Sequence, residues 1–139
     1  MHPAHRELAS LRSALELHDS RVSAIELAED VAAIYFSHAY IHKSKGSPGR
    51  DRGTGWSQEA RLILSEVEST GLLPSLPNAI DEGYLEVGGI RHEMIPLPFA
   101  RKVGARLYLV FADGSQVEIV GKRPFVELLG TPIYLEDFS

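Results

Sequence analysis

Apolar residues along most of this chain recur at every second position. Val22, Ile25 and Leu27 lead to a polar Glu29-Asp30 step, and the run 31–41 then carries Ile34, Tyr35, Phe36 and Tyr40. β-branched and aromatic residues at this density, interrupted by a turn pair, predict a hairpin. Its second arm is apolar on both faces, as in a strand central to a sandwich or barrel. Further on, Leu107, Leu109 and Phe111 alternate, Asp113-Gly114 supplies a turn, and Val117 and Ile119 alternate on the return. An Asp-Gly pair between alternating arms is a strong local hairpin signal. Tyr84, Leu85 and Val87 reach Gly88-Gly89, and Ile90, Met94 and Ile95 follow, which predicts another hairpin. Residues 58–67 read as a strand, and residues 125–128 and 133–138 as two short closing strands parted by Gly130-Thr131-Pro132.

Three stretches break this period. Ala4, Leu8, Leu11 and Leu15 stand at helical spacing with Glu7, Ala9, Arg12 and Glu16 between them, which predicts a short helix over 3–17, with His18-Asp19-Ser20 as the exit into the first strand. Residues 43–56, KSKGSPGRDRGTGW, hold four glycines and read as a long loop closed by Trp56. Residues 70–78, TGLLPSLPN, carry prolines that exclude a sheet interior. The expectation is a mainly β protein: one antiparallel sandwich or small barrel of about eight strands with a short N-terminal helix. It forms a single domain over 1–139, with the helix at about 3–17 and the β domain at about 20–138.

Composition narrows the function classes. With 139 residues and 44% hydrophobic content the chain can bury one core without a metal or a disulfide. The absence of cysteine removes thiolate zinc ligands and a cysteine nucleophile. A formal net charge of −5 argues against nucleic acid as a partner, because phosphate neutralisation needs a surplus of Lys and Arg. No segment has the apolar length of a signal peptide or a membrane span, so a cytoplasmic location is expected, with no membrane association. The charge is uneven: Lys43, Lys45, Arg50 and Arg52 crowd one stretch against Asp51, while Glu127, Glu136 and Asp137 make the C-terminal end acidic.

The densest group of chemically able side chains is His38, Tyr40 and His42. On a helix the two histidines would share a face and a metal ion; on a strand they lie about 13 Å apart at ~3.3 Å per residue, too far for one ion. The strand reading holds here, so no metal site is expected. The three side chains instead form a row on one side of a strand, next to the loop 43–56. Such a row suits ligand or partner contact, and equally suits half-buried side chains with hydrogen-bonded tips.

The loop glycines, with Arg50 and Arg52, would let main-chain N–H groups gather round an anion, but the spacing fits no phosphate-binding signature, and a surface loop pinned by Trp56 is the simpler reading. Ser37 and Ser44 sit near histidines only through adjacency, and Asp81-Glu82 and Glu136-Asp137 read as solvated charge, so no catalytic residue and no cofactor is assigned. Trp56, bordering the loop, is of the type that anchors a protein partner.

Residues 17–42, LHDSRVSAIELAEDVAAIYFSHAYIH, and the later FADGSQVEIVGKRPFVELLG with its YLEDF ending resemble small bacterial all-β domains of the immunity-protein type. The shared features are the His18-Asp19 entry to a hairpin, the Asp-Gly turn and the acidic-aromatic final strand, Glu136 to Phe138. The resemblance implies an intracellular protein that neutralises a toxin by binding it, with no catalytic residues to transfer. The leading expectation is therefore a non-enzymatic binding module that meets a protein partner through Tyr40, His42, Lys43, Arg50, Arg52 and Trp56. A small-molecule-binding barrel or an enzyme built round His38, Tyr40 and His42 stands as the alternative. A homo-oligomer held by sheet edges or by Leu72, Leu73 and Leu76 is a third.

Overall fold

Each long strand alternates in burial, and the parity of that alternation decides how the chain closes on its core. The computed structural model describes residues 11–139. Its elements are β1 (Arg12–Ala28), β2 (Val31–Ser44), β3 (Gly53–Thr70), β4 (Asn78–Val87), β5 (Ile90–His92), β6 (Met94–Leu97), β7 (Gly104–Phe111) and β8 (Gln116–Phe138); the described residues contain no helix. All eight strands belong to one antiparallel sheet in the order β5-β4-β7-β8-β3-β2-β1-β6.

The start of β4 also pairs with β1, Asn78 opposite Val22 and Ala79 opposite Arg21. The circuit β1, β2, β3, β8, β7, β4 therefore returns to its first strand. One side of it carries Leu17, Ile34, Leu62, Leu85, Leu107 and Ile119, all without solvent exposure. The hairpin turns lie where the pattern of residues puts them: Ala28 faces Val31 across Glu29-Asp30, Val87 faces Ile90 across Gly88-Gly89, and Val110 faces Gln116 beyond Asp113-Gly114. Gly88 and Gly89 take φ values of 59° and 79°, the left-handed pair that a two-residue hairpin demands and glycine adopts at little cost.

Strands this long cannot run straight around a small core. β1 changes register between Glu16 and Arg21, β2 between Phe36 and Ala39, and Asp19 sits at φ 71°. Ser20, fully buried at this point, donates its hydroxyl to the Glu16 carbonyl at 2.5 Å and accepts the Tyr40 N–H at 3.0 Å. It thereby occupies main-chain groups near the break in the ladder and keeps Leu15 and Leu17 before the break, and Val22 after it, on the core side.

The structure corrects four expectations. Residues 12–17 of the expected helix are the start of β1, paired with β2 on one side and, through Ser13 to Glu16, with β6 on the other, and Leu11 precedes it outside any helix; residues 3–10 of that segment lie outside the described residues. Two ladders outweigh a weak helical spacing, which is also why the β region begins near residue 12 and not near 20. The loop expected over 43–56 shrinks to 45–52, since Lys43 and Ser44 pair with Thr54 and Gly53. The two closing strands are one, β8, because the Gly130-Thr131-Pro132 step is absorbed as a register shift against β3 between Leu129 and Ile133. Among the leucines of the 70–78 segment, Leu76 packs on the core while Leu72 is almost wholly exposed. Among the described residues no helix is long and apolar enough to cross a membrane.

Ser20→Ala leaves the buried Tyr40 N–H without its partner. Its expected cost is about 1–3 kcal/mol of folding stability, read from the urea midpoint at unchanged slope.

Candidate functional site

The first half of β1, the second half of β2, the start of β3 and the end of β8 extend together beyond the pairing of β7. Residues directly opposite one another share a face. One face of this extension carries Ala14, His42, Gly55 and Glu136 in register, and the other carries Leu15, Ile41, Trp56 and Tyr134.

On the first face the expected row forms, but it is covered. The rings of His38 and Tyr40 stand 5.9 Å apart, those of Tyr40 and His42 4.8 Å, and Phe138 stacks on His42 at 5.0 Å. Gly55 makes the stack possible: a Cβ there would come within 2.6 Å of the Tyr40 hydroxyl and 3.1 Å of Phe138. The Tyr40 hydroxyl donates to Glu136, and burial together with that carboxylate pushes its ionisation well above the ordinary tyrosine range. His42 is 6% exposed; its Nε2 lies 3.6 Å from a Glu16 carboxylate oxygen, yet neither ring nitrogen has a hydrogen-bond partner. Thus Glu136, expected to be solvated charge, is tied into the stack by Tyr40. The sequence held no signal for this pairing, because the two residues stand far apart in the chain.

His38 bonds to a residue that sequence adjacency did not suggest. Its Nδ1 lies 2.5 Å from the Ser57 hydroxyl oxygen on β3. Burial lowers the His38 pKa below the usual histidine value, against an opposing hydrogen bond to the Asp19 main chain and the Asp19 charge. In the tautomer whose ring N–H donates to the Asp19 main chain, a neutral His38 accepts the Ser57 hydroxyl through Nδ1. His38, Tyr40 and His42 line none of five surface clefts of about 320 to 700 Å³. No three His, Asp or Glu side chains among the described residues group closely enough for a metal ion.

The other predicted residues divide between the two faces and the loop. Lys43 lies over the Trp56 ring, 4.6 Å from its centroid, and the Trp56 indole N–H donates to Thr54 at 2.8 Å. Trp56 is half-buried and meets Tyr134 edge to face at 5.5 Å. Arg50 and Arg52 are exposed in the 45–52 loop, apart from the histidine row. The loop itself is tightly built: the Ser47 N–H donates to Asp51 at 2.7 Å, and the Ser44 hydroxyl donates to the Arg52 carbonyl at 2.6 Å while accepting the Gly46 N–H. Lys43, Lys45 and Arg52 line an open cleft of about 700 Å³ together with Asp51, Asp137 and Phe138, so its cations face carboxylates of the protein's own.

What sequence reasoning missed is the edge of β8. β7 pairs with β8 only as far as Lys122, a single bridge joins Ala100 to Phe125, and beyond these the described residues pair with β8 from the β3 side alone. That stretch exposes Leu128, Leu135, Ile133 at 63% and Tyr134 at 50%. The only legible sign was its acidic-aromatic composition. No family model matches the chain, and neither a curated protein nor a solved structure is detectably similar to it.

The lowered His38 pKa has a definite sign. Above the unfolded value of about 6.5 the group is neutral in both states; as pH falls through that value the unfolded chain takes up the proton first, so folding loses stability. His92, lowered by burial and by Arg101, acts in the same direction, whereas exposed His18, raised by its bond to the Asp81 carbonyl, acts weakly in the opposite one. The urea midpoint is expected to fall between about pH 7.5 and about pH 5.5, and His38→Gln to reduce that fall.

Proposed function

We propose that this chain is a non-enzymatic protein-binding domain, in which the six-strand circuit serves as a small, rigid barrel and the projecting ends of β3 and β8 meet the partner. The observation that carries the reading is the exposed group Ile133, Tyr134 and Leu135 on a strand whose outer edge no other described residue pairs, beside the single tryptophan of the chain, Trp56. Aromatic side chains held by a scaffold contribute disproportionately to protein interfaces, and soluble proteins seldom leave such a group on an unpaired strand. Compared with the sequence-based expectation, the surface moves: Trp56 and Lys43 remain in it, whereas Tyr40 and His42 act behind it as a covered support. Neutralising a toxin by binding is the particular case that the resemblance to immunity-type domains implies.

The test is a pull-down from native cell lysate with the tagged chain and with an Ile133→Ser, Tyr134→Ser double variant of equal thermal midpoint. A stoichiometric partner retained by the parent and lost by the variant is the expected result. Equal retention by both, or recovery of the bait alone, overturns the reading.

A second reading rests on the Ser57–His38 pair, whose hydrogen bond has the polarity of a nucleophile and its base. It predicts slow hydrolysis of p-nitrophenyl acetate, lost at least tenfold on Ser57→Ala; a rate unchanged by that substitution rejects it.

A further inference from the structure

The free part of β8 also defines what kind of chain it can receive, and this inference rests on the binding reading above. An unpaired strand edge presents a row of main-chain donors and acceptors, and a partner can satisfy them by adding a strand of its own. Native edges are usually blunted by lysines, prolines or covering loops. Here residues 127–138 contain no lysine or arginine. Gly130 and Pro132 interrupt only the middle, since Pro132 has no N–H and Gly130 stands at φ 67°. The six residues 133–138 remain, apolar at Ile133, Tyr134 and Leu135 and acidic at Glu136 and Asp137, with one irregularity against β3 at Leu135.

Charge decides between the two obvious occupants. A second copy of this chain, laid antiparallel over the same six residues, would set Leu135 of one copy against Glu136 of the other and Tyr134 against Asp137. On each face Glu136 of one copy would then lie diagonally across from Asp137 of the other, about 7–8 Å away and within reach of its charge, and such like-charge pairs repel. In the folded chain Glu136 accepts from the Tyr40 hydroxyl and Asp137 from the Tyr134 hydroxyl at 2.6 Å, both uncharged donors. A strand from another protein with lysine or arginine opposite these two positions gains the ladder and the ion pairs together.

We infer that residues 133–138 bind, by strand addition, an extended segment of a partner protein that carries apolar side chains and a basic residue facing Glu136 and Asp137.

The probe is a pair of capped peptides that alternate valine with threonine, one ending on both sides in two lysines and the other in two glutamates. Binding to the full chain is followed by Trp56 fluorescence and by amide hydrogen exchange. The lysine-ended peptide is expected to bind at least tenfold more tightly, with slowed exchange in residues 133–138. A Glu136→Lys, Asp137→Lys double variant, with its thermal midpoint checked, is expected to reverse the preference. Equal binding of both peptides, absence of protection in 133–138, or self-association of the protein that protects the same amides overturns the inference. Should these peptide results be negative while the lysate partner is still lost on substitution of Ile133 and Tyr134, strand addition is rejected and the binding reading stands. Should no lysate partner appear either, both fall.

Discussion

The hydroxyl of Ser20 holds the bend on which the rest of the structure depends. Strands as long as β1 and β2 must change direction to remain on a core of this size, and a change of direction breaks the ladder that makes them strands. Ser20 stands at that break, joining the Glu16 carbonyl to the Tyr40 N–H inside the protein. Because the two irregularities face each other, both strands switch parity at the bend, and the core side passes from Leu17 to Val22 in β1 and from Phe36 to Ala39 in β2. Leu15 and Ile41 therefore remain on the buried side of the extension while Tyr40 and His42 occupy its other face.

From that bend follows a division of labour between the two ends of the sheet. The end built from β4, β7 and the opening of β8 is closed by the β4–β1 pairing and holds an apolar interior. At the other end β7 has already left β8, and the extension must find its own support. It does so with aromatic rings packed over Gly55, a tyrosine bound to a carboxylate, and a buried histidine whose nitrogens lack partners. A buried polar ring without hydrogen bonds costs stability. His42 offsets part of this cost by stacking on Phe138 beside Tyr40. The stack fixes the end of β8, and a fixed strand with an open edge is already organised to receive another without a large loss of entropy.

The same geometry accounts for the fate of the chemistry-bearing residues. Proximity in sequence suggested that His38, Tyr40 and His42 act together toward solvent, yet their side chains are used within the protein: His38 by Ser57, Tyr40 by Glu136, His42 by the stack. Each of these partners comes from another strand. Arg50 and Arg52 stay in the loop as expected, but the loop is held by Ser44 and Asp51 and is shorter than its glycine content suggested.

The amino-acid sequence by itself determined the β character, the turns at Glu29-Asp30, Gly88-Gly89 and Asp113-Gly114, and most of the core, because side-chain alternation and turn chemistry are local properties. It misplaced residues 12–17, where a weak helical spacing competes with two ladders that only the folded chain supplies. It also split β8 at Gly130-Thr131-Pro132, a step that looks like a break until β3 lies alongside and absorbs it as a change of register. Which strand neighbours which, where β7 parts from β8, and which carboxylate meets Tyr40 were decided by the tertiary structure alone. These are pairings between residues distant along the chain, and a one-residue slip in any of them would carry a side chain to the opposite face of the sheet.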